Sequence, residues 1–383
     1  MFNADFILQE KRYSWIDYDK GISILLVGYG HCLLVLAGLG IDFSHWPWFT
    51  YIGMFLYGFR MPLFFIISGV FLSGSLGRKG FGGYIYGRSN NILYPLLIWG
   101  GLEVTFQLLS AYHKFHTFDA RLYLDMFTHP RRIGTGHLWY LNALYTIGVL
   151  YVCLKQWLKM GPVAQLILGL ALYVVSAYLH VNDIEAGMLT DLSAFYIWYA
   201  LGVSIAKVVL DEKNAKAFAS LKFFFPLLAV FIVIQLYCMR LNLGAGQGHL
   251  DYVEHKKPFL FLAEALIGCI LSVNISFQLQ KHRILRFLRV IGFHSLFIYC
   301  IQILTMLVTA VVMIRVLKVT NVPVLVLAVW VAGILPPMSL YNFCLRFNLW
   351  WLFTFIKPER EIAAIKEGPS AWKNSGLPGP GPA

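Results

Sequence analysis

The stretch DYDKGISILLVGYGH, residues 17–31, decides how the rest of the chain is read. From Gly21 onward it is apolar enough to enter a bilayer, yet it opens with Asp17, Asp19 and Lys20 and carries His31 inside it. Charged and titratable groups at membrane depth are costly, so they are either paired and structural or chemically active. A helix rises about 1.5 Å and turns about 100° per residue, which sets Lys20 and His31 on nearly one face. His31 then lies about 16 Å deeper than Lys20, near mid-membrane, with Asp17 close to the same face. Gly28 and Gly30 thin the helix surface beside His31 and leave room for another backbone or a ligand.

Composition extends the membrane reading to the whole chain. Of 383 residues, 58% are hydrophobic and 13% charged, about half the charge of an ordinary globular domain. Apolar runs long enough to cross a hydrocarbon core of about 30 Å recur from end to end. They predict an all-α, polytopic transmembrane helical bundle of about ten spans, near 21–41, 51–76, 92–111, 137–154, 163–181, 191–210, 223–240, 259–279, 295–317 and 323–343. With the N-terminus in the cytoplasm, twenty connecting Lys and Arg fall on that side and eight on the other. This bias sets both termini in the cytoplasm. It also accounts for the net charge of +12 without nucleic acid as a partner.

Three regions are expected: a cytoplasmic N-terminal segment 1–20, a transmembrane domain 21–356, and a disordered, Pro/Gly-rich cytoplasmic tail 357–383. The opening MFNADFILQEKRYSW is polar and does not read as a signal peptide. The external connectors 112–136 and 240–258 mix His, Arg, Asp and aromatics, a composition that suits binding as well as simple connection. All six cysteines fall in apolar runs without metal-ligand spacing, so they read as buried small hydrophobes without disulfides, and no metal is expected.

Four further segments carry polar groups into the apolar runs. GFRMPLFFIISG (58–69) places Arg60 near mid-membrane, where it needs a partner, and Pro62 where a kink is expected. GRKGFGGYIYGRSNN (77–91) reads as an inner loop whose Arg78, Lys79 and Arg88 suit phosphate groups or simply set topology. Glu103 and Gln107 share a helix face, Glu264 lies in a later span, and a buried carboxylate would find its partner in His31 or Arg60. GHLWYLNALY (136–145) offers Trp139 and Tyr140 as interfacial aromatics and His137 beside an external connector. In IGFHSLFIYCIQ (291–302), Ser295, Tyr299 and Gln302 form a polar stripe at helical spacing.

Taken in order, Asp17, Lys20 and His31, then MPLFFIISG (61–69), Arg88 to Pro95, HLWYL (137–141) and GFHSLFIYCIQ (292–302) resemble the membrane acyltransferase-3 family. DYDKGISILLVGYGH looks closest to its fucose- or Nod-factor-type sugar O-acetyltransferases, in the stand-alone branch without an appended hydrolase-like domain. Asn91 and Gln302 stand where members of the family often carry basic residues or His. The resemblance implies an inner-membrane enzyme that takes an acyl group, acetyl before others, from cytoplasmic acetyl-CoA or another acyl-CoA. Its acceptor would be a sugar hydroxyl of an envelope or exported glycan, free or lipid-linked, reached from within membrane lipid.

Read with the residues, this predicts CoA phosphates at Asp17, Lys20, Arg78, Lys79 and Arg88. His31 is expected as general base or acyl carrier, Arg60 as oxyanion donor and Glu103 as a group orienting His31. An imidazole of ordinary pKa, about 6.5, suits that base role near neutral pH. His137, Trp139, Ser295, Tyr299 and Gln302 are the expected acceptor contacts. The competing readings are a flippase or transporter of a polar glycolipid, with His31, Arg60 and Glu103 along its path, and a structural partner in glycan export.

Overall fold

A computed structural model describes residues 7–8, 13–116, 119–133, 136–245, 251–359 and 361–362. Half of the expected N-terminal segment 1–20 and most of the expected tail 357–383 lie outside these residues.

The described residues are helical, with no strand among them. In chain order the main helices are α1 (Ser14–Gly38), α2 (Pro47–Phe55), α3 (Arg60–Arg88), α4 (Gly101–Phe115), α5 (Trp139–Trp157), α6 (Pro162–Val181) and α7 (Met188–Val209). They continue as α8 (Leu221–Gly244), α9 (Tyr252–Lys256), α10 (Pro258–His282), α11 (Phe287–Phe293), α12 (Ser295–Val311), α13 (Val322–Ala332) and α14 (Leu335–Arg346). Among the described residues eight helical stretches are long and apolar enough to cross a membrane, one of them the 67-residue run Pro47–His113. That run covers two of the expected segments, and 137–154 falls on α5. The chain is an all-α polytopic transmembrane bundle.

It divides into two compact units. The first, residues 1–64 and 209–343, is built around α1. Trp15, Tyr18, Ile24, Val27, Cys32 and Leu36 are buried on several sides of that helix, because α10, α11, α12 and α13 all pack on it. Small residues permit the tightest crossing: a Cβ on Gly21 would run into the Leu288 carbonyl, and one on Gly292 into the Asp17 carbonyl. Near its N-terminal end, α1 is tied by Tyr18, which donates to the Ile284 carbonyl at 2.8 Å, and by Trp15, stacked on Phe277 at 4.7 Å. Its C-terminal half enters an apolar cluster with Phe49, Ile303, Met306, Leu325 and Val329.

The expected span 51–76 is not one helix. α2 stops at Phe55, residues 56–59 turn, and α3 starts at Arg60. Pro62 therefore lies in the first turn of α3, where its missing N–H has no intrahelical acceptor to lose, so it starts a helix instead of kinking one.

The second unit comprises residues 65–208 and 344–383. Here α3 and α7 cross through another reciprocal pair: a Cβ on Gly69 would meet the Tyr199 carbonyl, and one on Gly202 the Ile66 carbonyl. The expected inner loop 77–91 is helical instead. Its change of direction is made within α3 at Gly80, whose φ of +67° is the left-handed region glycine enters freely. Helical pieces also occupy the expected connectors 112–136 and 240–258, namely the end of α4, a short helix Leu122–Thr128, the end of α8, and α9. All six cysteines are free, five of them buried.

Candidate active site

In the first unit α1 and α12 carry the polar groups that meet in the apolar interior. His31 is half-buried, and its Nδ1 lies 3.0 Å from the carboxamide nitrogen of Gln302. Tyr299, one turn earlier on α12, has its ring centroid 6.3 Å from that of His31. Gln302 is fully buried and Tyr299 nearly so, which fixes both side chains by packing. Ser295 is buried at the start of α12, about 10 Å below Gln302, and does not join them.

Arg60 arrives from the start of α3. Its Nη1 donates to the Leu26 carbonyl at 3.3 Å, and a Cβ on Gly30 would collide with the same guanidinium. Gly30, the residue before His31, is thus the small residue that admits the guanidinium against α1. The guanidinium also covers the Tyr57 ring at 4.7 Å, and the Tyr57 hydroxyl donates to Glu254 of α9 at 2.5 Å. A polar chain therefore runs from Arg60 to Tyr57 and Glu254. Glu264 is buried against Gly58, beside Cys238 and Gln235.

Toward the start of α1 the residues are arranged differently from the expectation. Asp17 lies 3.9 Å from the Arg289 guanidinium, which also donates to the Ile7 and Leu8 carbonyls. Lys20 is half-buried beside Asp19. Asp19 is fully buried, and one of its oxygens accepts from Ser272 at 2.5 Å and Ser276 at 3.1 Å.

The second unit holds the remaining expected residues. Arg78 and Lys79 are exposed. Arg88 is not part of that surface: it donates to the Leu144 carbonyl at 2.5 Å and lies over the rings of Tyr84 and Tyr199. A guanidinium among two aromatic faces and a carbonyl is held for packing, so Arg88 leaves the expected phosphate set. Glu103 is 3.5 Å from Nε2 of buried His137. The carboxylate expected to orient His31 thus has a different imidazole beside it, while Gln302 occupies Nδ1 of His31. Trp139 is packed between Arg131, 4.2 Å above its ring, and Phe195, with Arg131 in turn paired to buried Asp191 at 2.8 Å.

Sequence reasoning passed over Tyr57, Glu254, Arg289 and Asp19. Only Asp19 carried a signal, a second acid in the opening stretch; Arg289 was hidden among the topology-setting cations. Among the described residues no group of three His, Cys, Asp or Glu is placed to hold a metal ion.

A half-buried imidazole with an amide on its Nδ1, and an arginine against the preceding glycine, inside a polytopic bundle, form a membrane site suited to proton transfer and oxyanion binding. Residues 13–354 match the family described as the acyltransferase domain, type 3, and the chain belongs to that family. It is 29% identical over 200 residues to nodulation protein NolL of Sinorhizobium fredii, a match covering 52% of this chain and 50% of that one. It is 42% identical over 85 residues to nodulation protein NolL of Mesorhizobium japonicum, covering 22% of this chain and 21% of the relative. The chain thus spans about half the length of the first of these relatives and about a fifth of the second. No solved structure matches it.

Proposed function

We propose that this protein is an O-acyltransferase of the inner membrane that moves an acyl group, acetyl first among them, from cytoplasmic acyl-CoA to a sugar hydroxyl of an envelope or exported glycan. Family membership and the similarity to two nodulation proteins support the class. The single observation that carries the mechanism is His31 with Gln302 at its Nδ1, one residue after the Gly30–Arg60 contact.

In this reading both termini face the cytoplasm and the chain crosses the membrane ten times. Lys20 takes the CoA phosphates and the thioester reaches His31 along α1, while exposed Arg78 and Lys79 remain proposed phosphate contacts of the second unit. His31 Nε2 removes the acceptor hydroxyl proton as the oxygen bonds to the thioester carbonyl carbon. Arg60, held against Gly30 one residue before His31, receives the negative charge that develops on the carbonyl oxygen. Collapse of the adduct breaks the C–S bond, and the thiolate leaves with the imidazolium proton as free CoA. Tyr299 and Gln302 line the His31 ring within the first unit, and His137 and Trp139 remain proposed acceptor contacts of the second.

The test is incubation of the purified protein in lipid nanodiscs with [14C]acetyl-CoA, alongside mass spectrometry of envelope and secreted glycans with and without the protein. Saturable acetyl-CoA binding and a glycan mass difference of one acyl group support the reading. No binding and unchanged glycans contradict it.

A further inference from the structure

We propose that Gln302 is the positioning residue that sets the tautomer of His31, with its carboxamide oxygen presented to Nδ1–H in the working state. The inference rests on the base role of His31 proposed above, but its first test does not depend on activity.

The observation is an asymmetry across one buried amide. Gln302 is fully buried. Its nitrogen lies 3.0 Å from His31 Nδ1, while its oxygen has no hydrogen-bond partner among the described residues. That oxygen points toward Gly28, one turn before His31, where an added Cβ would stand 3.4 Å from it. Neutral imidazole carries one proton, and the nitrogen that does not carry it is the acceptor. With the amide nitrogen donating to Nδ1, the imidazole proton sits on Nε2, and Nε2 cannot take a proton from an acceptor hydroxyl. Turning the amide over brings the oxygen to the same place, where it accepts from Nδ1–H. Nε2 then holds a lone pair and works as the base.

A carboxamide is the side chain that serves both arrangements. It donates in one and accepts in the other, with almost no change of shape, which is why its two ends are hard to tell apart by geometry. It also brings no charge into the membrane interior, where a carboxylate partner would itself need compensation. Once His31 has taken the acceptor proton, both ring nitrogens are donors, and only the amide oxygen suits Nδ1. The packing that holds Gln302 leaves Gly28, without a side chain, on the side where the other end of the amide turns.

Two variants separate donor from acceptor: Gln302→Glu can only accept when ionised, and Gln302→Leu does neither. Protein labelled with [15N]histidine is compared by NMR, with His31→Gln assigning the His31 signals. Gln302→Glu is expected to hold His31 as the Nδ1–H tautomer, and Gln302→Leu to lose the wild-type tautomer balance. In transfer assays Gln302→Glu is expected to stay within about tenfold of wild type. Gln302→Leu is expected to lose about 100-fold in kcat, in line with removing an oriented base, with KM for acetyl-CoA unchanged. Identical His31 nitrogen signals in the folded wild type and both variants overturn the proposal. A tautomer response from a protein that transfers no acyl group leaves the positioning intact and removes the acyltransferase reading instead.

Discussion

Gly30 and Arg60 are fitted to each other: the guanidinium lies where a Cβ on Gly30 would be, one residue before His31. The contact explains how a cation is held against α1 without a carboxylate partner on its own helix. Its Nη1 is held by the Leu26 carbonyl at 3.3 Å, one turn before Gly30. Replacing Gly30 by Ala should displace Arg60 and lower kcat about 10- to 100-fold, because a transition-state donor would be moved off its position. Gly38→Ala is the control, since a Cβ there meets nothing. Initial rates of transfer from labelled acetyl-CoA check this, and equal rates for the two variants would remove the Gly30–Arg60 contact from the mechanism.

The crossing of α1 and α11 should be intolerant of even one methyl group. A Cβ on Gly292 would meet the Asp17 carbonyl, which is backbone and cannot rotate away. Gly292→Ala is expected to cost about 1–3 kcal/mol, the usual range for overpacking. Thermal unfolding in detergent should show a lower Tm, whereas Gly244→Ala, with open space around it, should not change it.

Asp19 is expected to matter for stability through its oxygen. Ser272 and Ser276 both donate to Oδ1, and all three residues are buried. Asp19→Asn keeps an oxygen for the two hydroxyls and should change Tm little. Asp19→Leu leaves both unpaired and should cost about 1–3 kcal/mol for each orphaned group. A larger loss for Asn than for Leu would contradict the assignment.

The exposed cations on α3 make a prediction about the donor. The double substitution Arg78→Ala and Lys79→Ala should raise KM for acetyl-CoA several-fold while leaving kcat within about twofold. It should also weaken the salt dependence of that KM, because exposed charges act through a screened field. Arg88→Ala should instead lower Tm, since its guanidinium is held by the Leu144 carbonyl and two tyrosine rings.

Apolar run length was enough to read the all-helical membrane fold, and the ordered set of segments from residues 17–31 to 292–302 to read its family. Those features are local, and helices in a membrane satisfy their own backbone, so periodicity maps onto structure directly. Partners were less legible. Nothing in the sequence distance between His31 and Gln302 marks them as neighbours, and the paired glycines at 21 and 292 or 69 and 202 meet only once the helices cross. The glycine-rich stretch 77–91 looked like a loop because glycine lowers helix propensity at every position it occupies. The stretch is helical all the same, and within it only Gly80 uses the conformational freedom that glycine offers. Arg88 misled for a related reason: a basic residue looks alike in sequence whether its charge faces phosphate or lies between tyrosines.

The central claim is that His31 performs the transfer. The direct measurement is single-turnover acetyl transfer from [14C]acetyl-CoA to native glycan by His31→Ala protein in nanodiscs, with folding verified by Tm and acetyl-CoA binding. The account predicts a loss of at least about 100-fold in the transfer rate, with binding of acetyl-CoA within about threefold of wild type. Transfer at the wild-type rate by the folded, acetyl-CoA-binding variant would contradict it.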